Sequence, residues 1–294
     1  MGLNAVEVLY LHFVHGRIHE EATQYNFWLT QYSVKAADLI RSLLDKGVIF
    51  ENNDLSVTLW KLKVPELKTL LRHSGMKVSG TKGKLVERAI ENRHLIDLNL
   101  ADLKPVYTVK SDYDAFLKDT EFINYFHFNG HISIYEAYEY YLTHPDRTSN
   151  EVAAGILAAD AEESLRTPNK YRAIKSFQLL SHFYLQQLND LNSSIYYLNN
   201  FTMLIILQSM TNYHKYKSIM PGSHFNIDNF TAEKYRVLLK TNQMTPYGLN
   251  QSLVDDTENL PYSYEQRKMA AKFIVDYIME DNEAESKLRR LLDE

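Results

Sequence analysis

Between Leu59 and Asn92 the sequence LWKLKVPELKTLLRHSGMKVSGTKGKLVERAIEN leaves little choice of local structure. Leu67, Leu70 and Leu71 recur at helical spacing, which gathers them into one apolar stripe. Pro65 suits a first helical turn, where its missing N–H costs nothing. Gly75 stands where a left-handed C-cap is wanted. Leu85, Val86, Ala89 and Ile90 form a second stripe of the same kind, and Ser79 or Thr81 can cap that helix. The pattern predicts two short amphipathic helices joined by a Ser-Gly turn. Leu62, Met76 and Val78 would close a small shared core.

The polar residues of this stretch are one-sided. From Lys61 to Arg93 there are nine basic residues (Lys61, Lys63, Lys68, Arg72, Lys77, Lys82, Lys84, Arg88 and Arg93) against Glu66, Glu87 and Glu91. The local balance is +6 in a chain whose formal charge is −5, so the remainder carries −11. A basic island in an acidic chain acts as a local electrostatic device. The second helix begins with Lys82 and Lys84 behind a Ser-Gly turn. Cations disfavour an isolated helix N-terminus, where unpaired N–H groups already carry partial positive charge. They make sense if an anion such as a phosphate completes the site. The same charge would also suit an acidic protein surface.

These residues resemble the SAP motif, a helix–turn–helix-like DNA-binding module. The resemblance rests on Glu66-Leu67-Lys68, Leu70-Leu71, Gly75, the turn Ser79-Gly80-x-Lys82 and Leu85-Val86-x-Arg88. It implies binding to double-stranded DNA, often AT-rich, with modest sequence preference. The implied contact residues are Arg72, Lys77, Ser79, Gly80, Thr81, Lys82, Lys84 and Arg88. Two positions depart from the pattern. Gly83 stands where a better helix former is usual, at a cost of about 1 kcal/mol relative to Ala. Lys84 replaces a commonly acidic residue. Arg88 has a second role open to it, packing its stem as well as supplying charge.

A length of 294 residues suits two or three domains. A hydrophobic share of 45%, with 12% aromatic, favours folded cores over disorder. There is no cysteine, which excludes disulfides, thiolate chemistry and Cys-built metal sites. The N-terminal residues do not read as a secretion leader, and no run is apolar enough to span a membrane. A cytoplasmic location, nucleoid-associated if DNA is bound, is the expectation.

The chain divides into four expected parts: residues 1–57, a small helical domain; 58–95, the SAP-like module; 96–111, a linker; 112–294, a larger helical domain. In the first, Val6, Leu9, Phe13 and Val14 suggest a helix. Residues 22–32 read as aromatic and irregular. Val34 to Lys46 reads as a helix capped by Ser33, ended by Gly47 and followed by an extended Val48-Ile49-Phe50. Helix, glycine and short strand are compatible with a winged helix and with many unrelated small domains. The whole arrangement resembles uncharacterised proteins of Gram-positive bacteria and their prophages, which implies no activity.

From Asp112 onward the pattern is mainly helical. Expected helices run over 113–127, 133–142, 150–165, 171–188, 193–212, 231–240, 245–254 and 264–292. Residues 171–188 and 193–212, joined by Asn189-Asp190-Leu191-Asn192, read as an αα-hairpin. The phrase SHFYLQQLNDLNSSIYYLNNF resembles the turn of a tetratricopeptide-like repeat. A helical solenoid and a compact α-bundle both remain open, since no period near 34 residues recurs.

No phosphate-cradling glycine loop, GxSxG or HExxH occurs in the sequence. His12, His15 and His19 share a helical spacing, but no carboxylate completes a metal pattern and Gly16 interrupts it. Glu162-Glu163 and Asp255-Asp256 read as solvated surface charge. The expectation is a mainly α-helical, non-enzymatic protein without cofactor or metal. It binds duplex DNA through the SAP-like module, and the helical domain makes protein contacts or oligomerises. The alternative is an adaptor whose basic module docks on an acidic partner.

Overall fold

The computed structural model describes residues 2–217, 225–241 and 243–294. The described residues are mainly α-helical, with a two-stranded antiparallel ribbon. They divide into two compact units, 1–143 and 144–294.

The first unit is built on α1 (Ala5–Val14), whose residues are buried nearly all round. Its N-terminus is a capping box. Asn4 Oδ1 accepts the N–H groups of Val6 and Glu7 at 3.0 Å, and the Glu7 carboxylate accepts the Asn4 N–H at 2.9 Å. Around it come α2 (His19–Thr23), α3 (Phe27–Tyr32) and α4 (Ala36–Asp45). Residues 22–32 therefore contain two helical segments rather than an irregular one. Ser33 does not cap α4. It closes α3 at φ 59, and Lys35 is the N-cap of α4. Glu7 is 3% exposed and takes Lys46 Nζ at 2.6 Å and Ser42 Oγ at 2.6 Å, pinning α1 to α4. Burial pushes its carboxyl up, but the hydrogen bonds from Lys46, Ser42 and Asn4 outweigh it and hold the group below the usual value.

Gly47 turns the chain at φ 66 into β1 (Ile49–Asn52). Its partner is β2 (Val106–Val109), with Ile49 opposite Val109 and Asn52 opposite Val106. The expected linker thus supplies a strand. Val106, Tyr107 and Val109 are buried there, which ties 96–111 into the unit. No wing follows β1 directly, because more than fifty residues separate the paired strands. Into that interval fall α5 (Leu55–Thr58), α6 (Val64–His73) and α7 (Lys82–Glu91). The SAP-like stretch is therefore an insertion between two hydrogen-bonded strands.

After β2 come α8 (Asp114–Asp119), α9 (Phe122–Asn129) and α10 (Ile134–Thr143). The single helix expected over 113–127 breaks at buried Thr120. Its hydroxyl donates to the Phe116 carbonyl at 2.7 Å and meets His12 Nε2 at 3.0 Å. A threonine that bonds its own helix competes with the helical ladder.

The second unit contains α11 (Ser149–Ser164), α12 (Tyr171–Gln186), α13 (Leu191–Tyr216), α14 (Asn229–Lys240), α15 (Pro246–Asp255), α16 (Tyr264–Ile278) and α17 (Ala284–Asp293). α12 packs on both α11 and α13, and the α12–α13 hairpin is closed by Asp190, which caps α13. Small buried serines mark the crossing: Ser194 Oγ donates to the Ser181 carbonyl at 2.8 Å. The helix expected over 264–292 breaks after Ile278, where Glu280 adopts φ 63 and Asp281 Oδ1 accepts the Glu283 N–H. Asp256 is not solvated surface charge. Its carboxylate accepts Asn199 Nδ2 at 2.6 Å and Ser252 Oγ at 2.9 Å, while Asn199 Oδ1 accepts the Tyr235 hydroxyl. This network satisfies the polar groups buried between α13, α14 and α15.

Candidate nucleic-acid interface

The inserted module has its own core. Leu59, Leu62, Leu67, Leu70, Leu71, Leu85, Val86, Ala89 and Ile96 are buried together, with Met76 and Val78 packed at the edge. α6 ends in a Schellman cap. Gly75 sits at φ 70, its N–H donates to the Arg72 carbonyl, and the Met76 N–H donates to the Leu71 carbonyl. The chain then runs through Lys77, Val78, Ser79 and Gly80 to Thr81, the extended N-cap of α7.

Thr81 makes no side-chain capping bond, so the first N–H groups of α7 are left for an outside acceptor. The turn before it is fixed from within the module. Arg88 Nη1 donates to the Lys77 carbonyl at 2.6 Å and to the Ser79 carbonyl at 3.2 Å. Gly80 holds φ 128, and a Cβ there would lie 3.2 Å from Lys84 Cβ. Ser79, Gly80, Lys84 and Arg88 are thereby brought to one face at the start of α7. Lys77, Ser79, Gly80, Thr81 and Lys84 are exposed.

Three of the eight expected contact residues are placed differently. Arg88 is half-buried, and its guanidinium is a strut for the turn. Lys82 bends away to donate Nζ to the Trp60 carbonyl at 2.6 Å. Arg72 is exposed on the last turn of α6, and no bond among the described residues draws it to the turn.

Pairing also trims the local charge. Lys61 Nζ lies 2.6 Å from Glu21, and Lys104 Nζ lies 2.5 Å from Glu20, so both ends of the insertion are pinned to α2. Burial would raise the Glu21 carboxyl, but the hydrogen bonds from Lys61 and the Ile18 N–H hold it below its ordinary value. Lys77 and Lys84 are the exposed cations nearest the start of α7, and Lys63, Arg72 and Arg93 are exposed elsewhere on the module.

Residues 61–93 match the SAP domain family. The SAP domain is a nucleic-acid-binding module, for DNA or RNA in general. No curated protein and no solved structure matches the chain.

The histidines are taken up separately. His12 meets Thr120, His15 Nδ1 accepts the Val109 N–H at 3.2 Å, and His19 Nδ1 meets the Tyr107 hydroxyl at 3.0 Å. Among the described residues no cluster of His, Asp and Glu could hold a metal, and no helix is long and apolar enough to cross a membrane.

Sequence reading missed Trp60. It is 47% exposed, although its neighbours Leu59 and Leu62 are in the module core. Its signal was Gly83, the departure from the motif: a Cβ built there would touch the indole Cη2 at 3.5 Å.

Proposed function

We propose that this chain is a non-enzymatic DNA-binding protein of low sequence specificity. Its SAP module seats a duplex phosphate at the start of α7. Lys84 and Lys77 approach the neighbouring phosphates, and Arg88 keeps the turn in shape. The observation that carries the reading is the match at 61–93, joined to an uncapped α7 N-terminus framed by exposed lysines. Contacts of this kind position a protein on DNA without reading bases. The resemblance to Gram-positive and prophage proteins would place that duplex on a cytoplasmic nucleoid.

The second unit serves protein contact or self-association in this reading, with α11–α13 as a tetratricopeptide-like stack. A groove of about 300 Å³ between α12, α13 and α14 supports it, lined by Leu185, Leu191, Phe230 and Val237. The rival reading is an adaptor whose basic module docks on an acidic protein.

The test is anisotropy of a short labelled duplex with the full chain at two salt concentrations. Binding that weakens with salt, and weakens further in Lys77→Ala/Lys84→Ala, supports the reading. A folded full chain that ignores duplex DNA at low salt removes it and favours the adaptor.

A further inference from the structure

Trp60 is left exposed where tryptophan is ordinarily well covered. The other tryptophan, Trp28, is 1% exposed and lies edge-on to Tyr10 and Phe13. Trp60 is also held in place. It sits in a single turn, Leu59–Lys61, whose Leu59 is locked into the module core. Its carbonyl is fastened by Lys82, and its six-membered ring lies beside Gly83, the second residue of α7. Gly83 gives up helix propensity at a position where Ala would be better. A Cβ there would meet the indole at 3.5 Å, an ordinary contact, so the ring already lies close against the helix end. A half-exposed indole on a fastened turn is thus presented beside the place where a phosphate would be seated.

An indole face stacks well on a nucleobase, and every base offers such a face. In an intact duplex those faces are already covered by neighbouring base pairs. Next to a single-strand extension or gap they are open. We propose that the module takes duplex DNA carrying an unpaired base beside the contacted phosphate, and that Trp60 stacks on that base. This rests on the DNA-binding reading above and narrows its substrate from any duplex to a duplex with a single-stranded junction.

The experiment uses the full chain and two labelled DNAs: a blunt duplex, and the same duplex with a short oligo-dT extension. The extended duplex is expected to bind about tenfold tighter, the size of one base–aromatic stack. Trp60→Ala should erase that gain and leave affinity for the blunt duplex unchanged within about twofold. Trp60→Phe should keep part of it. The extension should also quench the long-wavelength, solvent-exposed part of the tryptophan emission, while the buried Trp28, 1% exposed, emits at shorter wavelength and stays unquenched. Equal affinity for the two DNAs, or a gain that survives Trp60→Ala, overturns the junction proposal and leaves the DNA reading standing. Failure to bind either DNA at low salt overturns both. Circular dichroism of the variants separates a lost contact from a lost fold.

Discussion

Arg88 Nη1 lies 2.6 Å from the Lys77 carbonyl oxygen, so an arginine that reads as a DNA ligand in sequence commits one guanidinium nitrogen to the turn. Arg88→Ala should therefore act first on the fold. Losing hydrogen bonds from a charged donor costs about 1.5–3 kcal/mol. Thermal melting should show it without DNA present. Arg88→Lys keeps the charge but replaces the planar guanidinium with a differently placed ammonium, so it should lose stability as well. If Arg88→Ala melts like the parent and weakens only DNA binding, the strut role is wrong.

Salt dependence measures the phosphate contacts. Four or five contacts give a slope of log K against log salt of roughly −4. Lys77→Ala/Lys84→Ala should make that slope shallower by about 2. Lys82→Ala should change it less, because Lys82 is tied to the Trp60 carbonyl. A titration at several salt concentrations decides between the Lys77/Lys84 pair and Lys82.

A fragment covering 144–294 should not retain DNA. It carries 19 Asp and Glu against 16 Lys and Arg, and it lacks the basic island. Gel shift at low salt is the measurement. Retention equal to the full chain would move the site out of the SAP module.

Acid should loosen the first unit in two stages. Burial pushes His12 down to about 4 from its ordinary 6.5, so the unfolded chain binds the proton more readily than the folded one. Its contribution is complete above pH 6.5 and fades as pH falls toward 4. The loss reaches about 3 kcal/mol at most for a shift of that size. Glu7 follows at lower pH. Its folded value is depressed, so its contribution is lost as pH falls through that value. Urea midpoints of His12→Gln against parent should converge below pH 5 and separate above pH 6.5.

The turn and the module core should fail in different ways. Gly80→Ala places a Cβ at φ 128 and against Lys84, which costs about 1–3 kcal/mol for a side chain held in a sparsely populated conformation. It should distort the α7 start and weaken binding at low temperature. Leu70→Ala empties a fully buried site at about 2–5 kcal/mol, enough to unfold a core this small. Amide exchange of α6 and α7 distinguishes the local change from the collapse.

Much of this protein was legible along the chain because its determinants are local. Helical stripes at Leu67-Leu70-Leu71 and Leu85-Val86-Ala89, the Gly75 cap and the basic island all act within a few residues of one another. Periodicity and turn chemistry therefore suffice to read them. The breaks at Thr120 and Glu280 were harder, since apolar periodicity runs through both. What tertiary structure alone decided is non-local. Strand β2 was concealed in a stretch that looks like a linker, because a four-residue strand gains meaning from its partner at Ile49–Asn52. Pairing those strands turned the SAP module into an insertion and set Lys61 and Lys104 against Glu21 and Glu20. The roles of Arg88, Lys82 and Trp60 followed from folding two helices onto each other. Sequence fixes which residues carry charge or an aromatic face, but only the fold determines which atoms remain free to meet a ligand.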